Sequence, residues 1–323
     1  MNEFSFLPDL SPQTLNFVED LFGGVVPCTE AASAQLMHRL EKEGNEWENW
    51  QIRIGGGVND AIWLRWTLWV HWPADHTNKA VLLSPDACWP FCVNQEAARV
   101  AARQGVALAW FNRLELAQDG PDGKRVGPVF DHWPERPFGA LAVWAWGLQR
   151  CVDALLLTGR TQAGHIGVVG HSRGGKAALL AGATDTRVGA TISHNSGTGG
   201  AASFRHMDAG SESLELLASR FPHWLGPQAA QADTQRRIVD TDCLPLLQAI
   251  APRGLCLLQA SDDIWANPLG TRHSFKMLQP EWAARGAAPR LQWQERTGGH
   301  SMTALDWQRA AAFVQHVINH PPK

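Results

Sequence analysis

Between His165 and Ala183 the chain reads HIGVVGHSRGGKAALLAGA, and no other stretch restricts the fold as strongly. Three β-branched residues, Ile166, Val168 and Val169, are followed at once by Gly170-His171-Ser172-Arg173-Gly174 and then by an alanine- and leucine-rich run of helical character. A buried strand that passes straight into a helix through G-x-S-x-G makes a very tight turn. Glycines on either side of the serine let strand and helix approach without a Cβ clash. The serine hydroxyl then stands above the sheet at a helix N-terminus. There the backbone N–H of Arg173 and the helix dipole favour a developing oxyanion. Ser172 is therefore expected to be a nucleophile.

The rest of the chain alternates strand and helix patterns around this turn. Strands are expected over Ala61–Trp72, Lys79–Leu83, Val106–Phe111, His165–Gly170, Val188–Ser193, Leu255–Ala260 and Arg290–Arg296. Helices are expected over Thr29–Glu43 (with Gly44 as its stop), Asn94–Arg103, Gly139–Leu157, Lys176–Ala183, Leu214–Arg220, His273–Arg285 and Thr303–Asn319. Asp119–Pro137, rich in Gly, Pro and charge, reads as a surface loop. Such alternation points to the α/β class: an α/β-hydrolase fold with a mostly parallel central sheet and helices on both faces. Residues 1–323 are read as one domain, with 1–60 as an N-terminal extension and about 197–243 as a lid-like insertion.

Composition narrows the partners. A net charge of -3 and the lack of any Lys/Arg run give no footing for nucleic acid. No uninterrupted apolar run reaches the roughly 18 residues of a membrane span, so no membrane partner is expected. The start, MNEFSFLPDLSPQTLNF, lacks a basic n-region, which makes a cytoplasmic location the expectation, or a secreted one if a leader has been removed. The six cysteines are dispersed; Cys88 and Cys92, in CWPFC, have no second ligand pair, and the 13 histidines show no HExxH spacing. Neither a metal nor a cofactor is expected. The chain has 16 Trp and no Tyr, so no tyrosine hydroxyl can serve as acid or oxyanion donor. Oligomeric state is not legible.

In this fold the partners of the serine follow in the order acid, then histidine, each after a later strand. His300, in RTGGHSM after Arg290–Arg296 and before the last helix, fits the base. Asp262 and Asp263 follow the strand LCLLQA, where an acid can hold the imidazole tautomer. Asp263 is favoured, with Asp262 as the alternative. A second oxyanion donor is expected from the loop near Ser84–Ala87.

With these residues in place the chain resembles the glucuronoyl esterases and their bacterial relatives. The resemblance rests on GHSRGGK, then SHNSGTGG, a TDC…L..IAPRGL segment, DIWANP and GGH, from about Trp89 to His316. It implies an α/β-hydrolase that cleaves esters of 4-O-methyl-glucuronic acid with lignin alcohols. It further implies Ser172 as nucleophile, His300 as base, and Arg173 as an oxyanion stabiliser through its amide and guanidinium. Lys176 would bind sugar hydroxyls or the carboxyl region, and Trp265 would pack on the sugar ring. Glu212 would match a uronate-binding Glu of the lid, while the companion Gln has no counterpart between Ala163 and Pro227. Many family members carry a catalytic Glu where this chain has Asn195, which moves the acid to Asp263. The fungal cysteine pair is replaced by His171 and Ser301, which fits a reducing compartment. The substrate expected is therefore a small-molecule or carbohydrate ester. The residues alone leave two alternatives open: an intracellular acetyl esterase, thioesterase or dienelactone-type hydrolase, and a non-catalytic hydrolase-fold binding protein.

Overall fold

A computed structural model describes residues 9–27, 32–56, 61–74 and 79–321. The β-branched and aromatic runs form β1 (Ser33–Lys42), β2 (Asn45–Ile54), β3 (Leu64–Trp72), β4 (Val81–Ser84), β5 (Ala107–Phe111), β6 (Ile166–His171), β7 (Val188–His194), β8 (Gly254–Ala260) and β9 (Leu291–Arg296). Among the described residues these make one nine-stranded sheet in the order β1-β2-β3-β5-β4-β6-β7-β8-β9. The pairs from β5 through β4 to β9 are parallel, and those among β1, β2, β3 and β5 are antiparallel. Every residue of β4, β6, β7 and β8 is buried, as continuous apolar strands covered on both faces should be.

The helices are α1 (Pro12–Phe22), α2 (Gln95–Arg103), α3 (Pro128–His132), α4 (Ala140–Leu157), α5 (Arg173–Thr184), α6 (Leu214–Arg220), α7 (Ala232–Thr241), α8 (Leu244–Gln248), α9 (Pro268–Ala284) and α10 (Ala304–Asn319). One core cluster joins α1, α4, α5, α8 and α9 to the sheet; a second joins α2 and α10 to it. By length and composition α4 could cross a membrane, yet most of its residues are buried within the protein, as in a core helix. Residues 197–243 lack strands and carry α6 and α7.

The helix expected over Thr29–Glu43 is not formed: Ser33–Lys42 is the edge strand β1, while Thr29 to Ala31 lie outside the described residues. Its Leu, Met and Ala spacing suits a helix, but Glu43 and Gly44 both have positive φ, 55° and 75°. That is the two-residue turn of a twisted hairpin, and it pairs Lys42 with Asn45. The segment read as an N-terminal extension thus supplies two strands of the sheet. The Asp119–Pro137 loop also departs from expectation, since it contains the helical turn α3 and its first residue is largely enclosed beside the site described next.

Candidate active site

β6 runs into α5 through Ser172, which has φ 56° and ψ -120°. For a residue with a Cβ this conformation costs on the order of 1–3 kcal/mol and persists only where its surroundings enforce it. The enforcement is visible. A Cβ on Gly170 would lie 2.2 Å from the carbonyl of Gly174, and one on Gly174 would lie 2.2 Å from Asp86 Oδ1. The amide of Ser172 donates to His194 O at 2.8 Å, and that of His171 donates to Asp86 Oδ2 at 2.8 Å. Asp86 in turn pairs with Arg113, whose fully buried guanidinium lies over the rings of Trp89 (4.3 Å) and Trp144 (4.9 Å). A buried ion pair thus stands behind the serine turn.

The loop after β4 was expected to offer an oxyanion donor. Its amides are occupied instead: that of Asp86 by Ser84 Oγ at 3.3 Å and that of Ala87 by Phe111 O at 3.2 Å. What this loop brings to the turn is the Asp86 carboxylate.

The two adjacent carboxylates after β8 part company. Asp263 Oδ2 lies 2.5 Å from His300 Nδ1. Asp262 Oδ2 accepts from the amide of Gly298 at 2.8 Å and so ties down the loop that carries His300. Asp263 is buried, while His300 stays partly exposed on the rim of the cavity that Ser172 also lines. Asn195, at φ 46° beyond β7, accepts from the amide of Ala260 at 2.8 Å through Oδ1, and its buried Nδ2 has no partner among the described residues.

The cavity measures about 240 Å³ and is lined by Ser172, Arg173, Lys176, Asn195, Glu212, Trp265 and His300, with Phe221 and Trp224. Arg173 Nη1 meets Asp119 Oδ2 at 2.5 Å, and its guanidinium lies over Trp224 (4.4 Å), Trp89 (5.0 Å) and Phe221 (5.6 Å). Asp119 also receives Trp224 Nε1 at 2.7 Å and faces His223 Nε2 at 3.2 Å. Burial works to raise the Asp119 carboxyl, but His223, Arg173 and Trp224 outweigh it and hold it well below the usual carboxylate range. Arg173 Nε is buried without an acceptor among the described residues.

Lys176 is buried, not a solvated helix residue. Its ammonium donates to Ser196 O at 2.6 Å and to Thr198 O, and lies 3.6 Å from Glu212 Oε2. Burial lowers its pKa, with Glu212 pulling the other way. The amide of Glu212 donates to Trp265 O at 3.1 Å, which ties the lid to the turn after β8. Trp265 is half-exposed, with the Arg220 guanidinium 5.2 Å from its ring.

All seven residues singled out by sequence, with Asp263 behind His300, meet at this one place. Sequence reasoning missed Asp86, Arg113, Asp119, His194 and Trp224. His194 lies within SHNSGTGG and Asp86 within the loop after β4 without a role of its own being read there, and Arg113, Asp119 and Trp224 lie in no motif. Asp119 opens a stretch rich in Gly, Pro and charge, where nothing local sets one acid apart from the next.

Residues 74–286 match the family model described as fungal glucuronyl esterase. Carbohydrate esterase MZ0003, from an unknown prokaryotic organism, is 31% identical over 57% of this chain and 46% of its own length. The 4-O-methyl-glucuronoyl methylesterase of Cerrena unicolor is 27% identical over 78% of this chain and 54% of its own. The chain thus spans about half the length of these curated relatives. A carbohydrate esterase family 15 glucuronoyl esterase from Caldicellulosiruptor kristjansonii superposes with a TM-score of 0.77 at 25% identity, covering 95% of this chain and 84% of that one.

Proposed function

Since the chain belongs to the glucuronoyl esterase family, we propose that it hydrolyses esters of uronic acids through an acyl-enzyme on Ser172. The observation that carries this reading is the joint presence, on one cavity, of a strained Ser172 and a His300 whose Nδ1 faces Asp263 at 2.5 Å. Ser172 Oγ attacks the ester carbonyl, His300 Nε2 takes the proton and returns it to the leaving alcohol, and Asp263 holds the tautomer. Water then repeats the sequence on the acyl-enzyme and releases the acid. The amide of Arg173 and its uncommitted Nε serve the oxyanion.

A uronate ester is neutral, and charge develops only on the carbonyl oxygen and on the product. Cations already paired, Arg173 with Asp119 and Lys176 with Glu212, suit that sequence. They bind the uncharged ester without a large field and gain most as negative charge appears. Lys176, Glu212 and Trp265 are assigned to the sugar on this reading. Esters of glucuronic acid with lignin alcohols occur outside cells. The secreted alternative goes with this substrate, and the cytoplasmic expectation gains no support from the relatives.

Rates on benzyl glucuronate and on an aryl acetate test the assignment. Preference for the glucuronate is expected, together with loss of at least about a thousandfold in kcat in Ser172→Ala. A clear preference for acetate would move the protein to the acetyl esterase reading. Failure of Ser172 to react with a fluorophosphonate would leave only a binding protein.

A further inference from the structure

Two histidines beside the serine turn take no part in the chemistry above, yet both are completely buried: His171, at the end of β6, and His194, at the end of β7. The His171 ring lies against that of His300, with centroids 4.5 Å apart and planes at 48°. On its other side His171 Nδ1 meets His194 Nδ1 at 2.7 Å. His194 Nε2 lies 3.5 Å from Asp306 Oδ2, a long electrostatic contact. Asp306 is held by the amide and hydroxyl of Thr303, both at 2.8 Å, and by Arg296 Nε at 2.8 Å.

With Asp306 ionised and both rings neutral, these contacts fit one set of proton positions. Burial works against ionisation of Asp306, but the nearby His194 and the hydrogen bonds from Thr303 outweigh that and keep it an anion. Burial also favours the neutral form of both imidazoles. A neutral His194 beside a carboxylate carries its proton on Nε2, facing Asp306, which leaves Nδ1 as an acceptor. His171 must then carry its own proton on Nδ1 to make the 2.7 Å contact. The ring under His300 is thereby neutral, fixed in tautomer and fixed in orientation. Its other neighbours are Trp89 and Phe91, with ring centroids 5.9 and 6.3 Å away, while Asp86 accepts from its amide and the Arg113 charge bears on it.

We propose that His171 is a positioning residue for His300: a neutral ring, oriented through His194 by Asp306, against whose face the exposed base rests. The proposal builds on the assignment of His300 as general base. His300 needs such a support. It sits in a Gly298-Gly299-His300 loop, half out of the protein, and Asp263 fixes one edge of its ring but not the plane. A neutral neighbour also avoids placing a like charge beside the imidazolium formed in each half-reaction.

The test uses the full chain with p-nitrophenyl acetate and fluorophosphonate labelling, with thermal unfolding of each variant recorded in parallel. His171→Ala is expected to lose about tenfold or more in kcat with KM within about twofold, and to label correspondingly more slowly. His171→Phe keeps a ring face and is expected to recover most of that loss. His171→Gln keeps a donor for His194 without a ring and is expected to be as slow as the alanine variant, so the test survives poor folding of either other protein. Imidazole ¹⁵N shifts at neutral pH are expected to give His171 protonated on Nδ1 and His194 on Nε2. Wild-type kcat in folded His171→Ala or His171→Gln, a folded His171→Phe as slow as alanine, or a charged ring at either position overturns the proposal. The base assignment fails separately: full turnover in His300→Ala would remove it, and this inference with it.

Discussion

At the scale of single residues, Asp119 shows how much of the site depends on a side chain that touches no reacting atom. It anchors Arg173 at 2.5 Å and collects Trp224 and His223 around the same guanidinium. Asp119→Ala removes the partner that holds the Arg173 guanidinium, the group assigned to the oxyanion in the proposed mechanism. A loss of about tenfold to a hundredfold, mainly in kcat, is expected in steady-state ester hydrolysis. The same carboxylate carries a pH signature. Its folded pKa is depressed, so its stabilising effect is fully present above the ordinary carboxylate pKa of about 4 and is lost as pH falls below that. Thermal midpoints recorded from about pH 6 to pH 3 should therefore fall less steeply for Asp119→Asn than for wild type. Ser172, His300 and the Asp262/Asp263 pair were legible in the sequence because a strained turn and a fixed chain order leave few candidates. Asp119 was not, because a carboxylate 54 residues from its partner looks like any other loop acid until the chain is folded.

At the scale of elements, the turn from β6 to α5 was the most legible part and has little tolerance. Gly170 has no room for a methyl group, since the obstruction is the backbone of Gly174 at 2.2 Å and cannot rotate away. Gly170→Ala is expected to destabilise the fold by about 1–3 kcal/mol, read from urea unfolding, and to reduce fluorophosphonate labelling of whatever remains folded. The short helices α3, α7 and α8 went unread, whereas the parallel strands from Lys79 onward were readable for a related reason, since β4, β6, β7 and β8 are buried on both faces. β1 and β2 were not. They are an antiparallel pair with one face exposed, and in SAQLMHRLEK the alternation is too weak to exclude a helix. What decided the matter was the Glu43-Gly44 turn and pairing with β2, a long-range contact that local periodicity does not carry.

At the scale of the whole molecule, the site occupies one half of the sheet and the antiparallel strands the other, and Glu48 fastens that far half. Its fully buried carboxylate accepts from Trp50 Nε1 and Trp72 Nε1, each at 2.8 Å, from Arg39 at 2.7 Å and from Arg160 at 3.2 Å. Burial opposes its ionisation, but these donors prevail and hold it below the usual range. Glu48→Ala removes the shared acceptor of two indoles, while Arg39 and Arg160 keep Glu46 at 3.3 and 2.9 Å, and is expected to cost about 1–3 kcal/mol in urea unfolding, with ester turnover of the folded fraction unchanged. Beyond Glu48 lies β1, the last strand of the sheet, most of it exposed, including Met37 and Leu40. An open strand edge is a template on which a second chain can continue the sheet. Here a register break at Leu36/His38 and the charges of Arg39, Glu41 and Lys42 stand against that. Part of the obstacle is charge, and at about 1 M salt charges are felt over only about 3 Å. The colloidal behaviour of the protein is in this way expected to depend on ionic strength, through a strand far from the candidate site.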